Sequence, residues 1–285
     1  MTATLNPLRL DPSRTRPLLR SLGAQLRRLF SQLHATATAS LERFTLLPPD
    51  QAVVTFRRSL DTLLEQLFFA DDWYMRYLSA AYAQAAGRAY DRVRRAPLRD
   101  PVRHAGGKEE FLQRLLGGVR QLSGLTGNAA LQRDWRGRFI SERARLLSLR
   151  LESELRGVTQ AAAQELARAL ITGIEQGQTP RQIALAMRRA TTIGYQRALR
   201  IAHNELVRAS AEGTLDALAE LGVERVGATV EYTTAGNPCP RCAALEGQTY
   251  TIDKARGMIP QHPWCACAWE AVQEVEPAVG VIRGR

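Results

Sequence analysis

Lysine is nearly absent from this chain of 285 residues: Lys108 and Lys254 are the two lysines, and every other basic residue among its 39 is arginine. No apolar run approaches the roughly 18 residues that span a bilayer, and Met1–Asn6 lacks the charged-then-apolar pattern of a secretory leader. Membrane insertion and secretion are therefore not expected. Cysteine is scarce and confined, with Cys239, Cys242, Cys265 and Cys267 all inside the last 47 residues. Scattered thiols would pack singly in a core, whereas a cluster this tight points to a metal or disulfide knot.

What is present is ordinary globular material: 45% hydrophobic and 24% charged residues, which excludes wholesale disorder. The net charge is +11 with a pI near 10.2, so polyanions or acidic surfaces are the expected partners. The charge is lopsided. Residues 1–150 hold 25 Lys+Arg against 13 Asp+Glu, a net +12, while 151–285 hold 14 against 15, a net −1. Arginine grips phosphate bidentately. The codon usage of a GC-rich genome accounts equally well for arginine over lysine, but not for the asymmetry between the halves.

The periodicity predicts a mainly α chain: a long helical body followed by a small C-terminal zinc-stapled β module. Leu19, Leu22, Leu26, Leu29, Phe30 and Leu33 recur at three- and four-residue steps, with Arg20, Arg27 and Arg28 off that stripe. Asp50 is the expected N-cap of a helix through Phe69, and a further helix starts near Asp71-Asp72. Trp73, Tyr77 and Tyr82 read as core, and the small residues of 80–89 as a close helix–helix contact. The segment 96–107 reads as a linker and 124–137 as a break. A helix from about Ile140 to Gln176 carries Ala162, Leu166, Leu170 and Ile174 on one side, with Gly177 at its C′ position. Thr179-Pro180 then opens a short helix to about Ala190, and Thr191 or Thr192 the next, which stops at Gly222. Alternation at Val226, Ala228, Val230 and Tyr232 predicts a strand, with strand-like pieces at 249–252 and 267–272. The regions expected along the chain are a basic helical one at 1–100, a central helical one at 108–222, and a Cys/His module at 223–285.

Cys239-Pro-Arg-Cys242 is followed by His262-Pro-Trp-Cys265-Ala-Cys267. Two close pairs of soft ligands joined by a loop are what tetrahedral zinc requires. Five donors compete for four positions. Cys239, Cys242, His262 and Cys265 form the first choice, and Cys267 in place of His262 the second; on an extended strand, residues 265 and 267 would point to opposite faces. Disulfides and free thiols are the alternatives. Four protein ligands leave zinc no open position for water, so structural Zn²⁺ and no catalytic residue are expected.

A competing pattern is His203-Asn-Glu205 with Pro238-Cys239-Pro-Arg-Cys242, the literal signature of zinc-dependent nucleobase deaminases. Against it, His203 and Glu205 sit in a helical stretch where they point about 200° apart. The reading also leaves His262, Cys265 and Cys267 without a role. A zinc-ribbon nucleic-acid-binding factor is a third possibility.

The stretch 164–272 resembles the phage head morphogenesis proteins related to phage Mu protein F. The resemblance runs through the helix of 166–176 ending at Gly177, then Thr179-Pro-Arg-Gln-Ile-Ala-Leu, then Arg200-Ile-Ala-His-Asn-Glu205 with Ala209, Gly213 and Leu218. The strand of 230–234 follows, then Cys239-x-x-Cys242-x-x-Leu245-x-Gly247 and Pro260-x-His262-Pro263-x-Cys265-x-Cys267, which is its specific part. The chain departs from the family pattern at His203-Asn204, where Arg-Thr is usual, and at Ala266, where Arg is usual. The resemblance implies a minor head (capsid) protein of a tailed phage, carried in the virion inside the head near the portal. Its implied partners are the portal protein, other head proteins and, through the basic first half, packaged double-stranded DNA. Neither a membrane nor a small-molecule substrate is implied.

Overall fold

The computed structural model describes residues 11–95, 107–115, 142–223 and 228–273. The expected linker at 96–107, except Gly107, and the break at 124–137 lie outside these residues, as does Val226. The described chain is predominantly helical and ends in a three-stranded sheet, the architecture expected from the periodicity. No helix among the described residues is long and apolar enough to cross a membrane.

Two compact units interleave along the sequence. The first comprises residues 15–79 and 142–206. It contains α1 (Arg16–Ala39), α2 (Leu41–Thr45), α3 (Pro49–Leu64) with a π-helical turn at Glu65–Phe69, α6 (Glu142–Glu175) and the N-terminal part of α7 (Pro180–Glu220). Helix α1 buries Leu18, Leu22, Leu26, Leu29, Phe30 and Leu33, while Arg20, Arg27 and Arg28 face outward. The expected stripe is the buried face, with Leu19 half-buried at its margin and Leu18 added to it. Phe30 meets Phe68 edge-on at 5.1 Å, and Phe44 meets Phe56 at 5.3 Å. Burying each such side chain stabilises by about 1.5–3 kcal/mol.

The helix ends follow local chemistry. Pro48 caps α3, so Asp50 lies inside the first turn, where its carboxylate faces the positive end of the helix dipole. Gly177 adopts φ +62°, and the N–H of Gln178 reaches the Gly173 carbonyl at 2.8 Å to close α6. At α7, Gln182 Oε1 accepts from the Thr179 N–H at 2.8 Å and Thr179 Oγ1 accepts from the Gln182 N–H at 3.4 Å, a reciprocal cap.

Helix α7 is one continuous element of 41 residues, where two helices meeting near residue 190 were expected. The reason lies in the hydroxyls. Thr191 and Thr192 bond back to the carbonyls of Met187 and Arg188 instead of turning forward to cap a new helix.

Among the described residues, the second unit holds 11–14, 80–95, 107–115, 207–223 and 228–273. It contains most of α4 (Met75–Arg95), α5 (Lys108–Leu115), the C-terminal part of α7 and the β module. Gly213 of α7 lies against the backbone of Tyr82 in α4, where an added Cβ would come within 2.9 Å of the Tyr82 Cα. This is the close contact foreseen from the small residues of 80–89, and Tyr82 Oη reinforces it by donating to Asp216 at 2.6 Å. In the module, β1 (Ala228–Thr233) pairs antiparallel with β2 (Thr249–Tyr250) and β3 (Ala268–Gln273), in the order β2-β1-β3. Short helical turns α8 (Pro240–Ala243) and α9 (Ile252–Ala255) lie between them. The second strand ends before Ile252, which begins α9, and is thus shorter than its sequence pattern suggests. Arg256 ties this turn to α7 by bonding Asp216 at 2.7 Å and Glu212 at 3.2 Å.

Candidate metal centre

The first donor pair is built by the start of α8. Cys239 is its N-cap, and its Sγ accepts from the Cys242 N–H at 3.4 Å. Pro240 at the first helical position fits this turn because no amide is needed there. The N–H contact holds the Cys239 thiol below its ordinary value, since it favours the thiolate.

The second group comes from the segment before β3. Trp264 adopts φ +65°, and the N–H of Cys265 reaches the His262 carbonyl at 3.1 Å. The chain thus turns between His262 and Cys265. Both Cys265 and Cys267 are buried, and neither lies within the strand, which starts at Ala268. Strand alternation therefore does not separate them: their thiols hydrogen-bond to each other.

The five donors form two overlapping triads, Cys239–Cys242–His262 and Cys242–Cys265–Cys267, with ligand atoms in each within 4.8 Å of one another. Cys242 is common to both. Its Sγ lies 3.2 Å from His262 Nε2 and accepts from Tyr232 Oη at 3.6 Å. Zinc bonds of about 2.3 Å to sulfur and 2.0–2.1 Å to nitrogen put ligands of a tetrahedral site about 3.6–3.8 Å apart, so the 3.2 Å here is a few tenths of an ångström tighter than a metal-bound pair. His262 Nδ1 faces the Pro263 carbonyl at 2.8 Å, which orients the ring so that Nε2 is turned toward Cys242 Sγ. All four cysteines are free thiols in the structure. These Cys/His groups could hold a metal ion, and their soft donors suit zinc.

The thiols are electrostatically coupled to one another. The Cys267 S–H donates to Cys265 and holds that thiol down at about 5, with the His262 charge adding to the effect. Burial pushes Cys242 up to about 11. Burial likewise raises Tyr232, which contacts the cysteine sulfurs and whose ring meets Trp269 at 5.4 Å.

His203 and Glu205 lie within α7, in the first compact unit. Both are buried, and Glu205 pairs with Arg150 of α6 at 3.1 Å. Among the described residues, neither metal-competent group includes them.

The five Cys/His residues singled out from sequence spacing are the ones that make up the two triads. Sequence reasoning missed Tyr232 as a partner of the Cys242 sulfur, because that contact depends on strand register across the module. Comparison with known proteins adds one match. No curated protein and no solved structure matches the chain. Residues 164–270 match the family model described as Phage Mu protein F like protein, and this segment, with α7 and the whole Cys/His cluster, is Phage Mu protein F-like.

Proposed function

We propose that the chain is a structural minor head protein of a tailed bacteriophage, built into the head near the portal and acting in head assembly and DNA packaging or delivery. The observation that carries this reading is the Phage Mu protein F-like segment at 164–270. Within it, Cys239, Cys242, His262 and Cys265 hold Zn²⁺, with Cys267 the alternative fourth donor to His262. Zinc there supplies cross-links in place of a large core. A closed four-ligand site offers no position for an attacking water, so the role is architectural. The net +12 of residues 1–150 supports contact with DNA or acidic portal surface.

The test is made on particles of the phage whose genome encodes the chain. Mass spectrometry of purified heads should detect it together with the portal protein, and deletion of its gene should leave heads that are misassembled or poorly filled. Its absence from wild-type heads, with normal filling after deletion, would contradict the proposal. Duplex binding without particle incorporation would instead support the zinc-ribbon nucleic-acid-binding reading.

A further inference from the structure

A cleft of about 620 Å³ lies within the second compact unit, between the turn at residues 11–14, one face of α4, the C-terminal part of α7 and the start of β3. Its charged lining is dominated by arginine. Arg14, Arg88, Arg92 and Arg95 border it, against two carboxylates, Asp91 and Glu270. Both carboxylates are engaged: Glu270 pairs with Arg92 at 2.9 Å, and Asp91 pairs with Lys108. Among the described residues, these two pairs leave Arg14, Arg88 and Arg95 as the other guanidiniums of the lining, with the Asp11 carboxylate acting on Arg88 from outside it.

Arg88 is the least solvated of them. Its Nη2 donates to the Ser13 carbonyl at 3.0 Å and to Ser210 Oγ at 3.3 Å, both neutral acceptors. Burial pulls its pKa down to about 10, and the neighbouring guanidiniums of Arg14 and Arg92 act in the same direction. The Asp11 carboxylate opposes them. A largely buried cation among like charges is costly unless an anion joins it. Arg14 itself stands at φ +54°, in a turn fixed by its N–H to the Asp11 carbonyl at 3.0 Å and by Ser13 Oγ donating to Asp11 at 2.6 Å. Left-handed backbone at a non-glycine residue is uncommon and clusters at functional positions.

We infer that this cleft is an oxyanion site for a phosphate group, gripped by Arg14, Arg88 and Arg95. Planar guanidiniums on separate elements suit the tetrahedral oxygens of phosphate better than one point charge does. The phosphate comes either from a nucleic-acid backbone, which would deepen the DNA contact proposed above, or from a free phosphate compound. The inference itself stands on the cleft and not on that reading.

The experiment uses the full chain and two double variants of equal charge loss: Arg14→Gln/Arg95→Gln in the cleft, and Arg20→Gln/Arg28→Gln on the exposed face of α1. All four side chains are exposed, so both variants should fold, as melting in chloride will verify. Inorganic phosphate should raise the melting temperature of the wild type above that in chloride at equal ionic strength. The rise should disappear in the cleft variant and persist in the α1 variant. A salt slope of duplex binding that falls by about one for each cleft arginine removed would assign the phosphate to nucleic acid. Duplex binding reduced no more than in the α1 variant, with the phosphate effect lost, would assign it to a free phosphate compound. No phosphate-specific rise in the wild type, or a rise that survives in the cleft variant, overturns the inference. Duplex binding and head incorporation, measured separately, would then still decide the proposed function.

Discussion

The helices of 142–206 and the β module of 228–273 are stabilised by different means. The first bury an apolar series, Leu151, Leu155, Leu166, Leu170, Ile183 and Met187, with little solvent exposure. The module has a few large buried groups, Val230, Tyr232, Ile252, Ile259 and Trp269, and its remaining interior includes Cys242, Cys265 and Cys267. A module of fewer than about fifty residues rarely holds together on apolar burial alone. The lesson is that one chain can combine an oil-drop core with a region whose interior is built around Cys/His groups that could hold a metal ion, and that perturbations should separate the two.

Metal removal should break the comparison most sharply. Structural zinc contributes an apparent 10–16 kcal/mol, roughly, to small modules. Cys242→Ser removes the donor shared by both triads, so amide hydrogen exchange across 228–273 should accelerate toward unfolded rates while 142–206 keeps its protection. Unchanged protection in the module would show that it needs no ion.

The converse perturbation is Phe68→Ala. Phe68 is fully buried and packed on Phe30, so truncation should lower stability in urea by about 3–5 kcal/mol. Metal content should stay the same, and its loss would mean that the two regions are not separable in this way. Gly213→Ala forces a Cβ onto the Tyr82 backbone and should cost about 1–3 kcal/mol by the same measurement. A neutral result would mean that α4 and α7 can move apart at that point. Smallest is Thr179→Ala, which removes half of the reciprocal cap on α7. It should cost about 1 kcal/mol, with Thr179→Ser recovering most of it.

The apolar stripe of α1 and the stop at Gly177 were legible because they depend on residues within a turn of each other. The clustering of the five candidate donors was legible because close pairs of Cys and His joined by a loop are a pattern readable in the spacing itself. The continuity of α7 through Thr191 and Thr192 was not, since a threonine hydroxyl serves a cap or an i−4 carbonyl equally well until the flanking turns decide. Strand alternation at 265 and 267 misled for a related reason: the turn at Trp264 places both cysteines ahead of β3. The arginine cleft was out of reach. Arg14, Arg88 and Glu270 come from three distant segments, and sequence spacing says nothing of their meeting.

The most direct measurement is the zinc content of the purified chain, repeated on His203→Ala, His262→Ala and Cys265→Ser. The account predicts about one zinc per chain, kept in His203→Ala and lost in Cys265→Ser, with His262→Ala deciding whether the imidazole or Cys267 completes the site. Zinc lost in His203→Ala and kept in the other two would contradict the closed structural centre and bring back the deaminase reading.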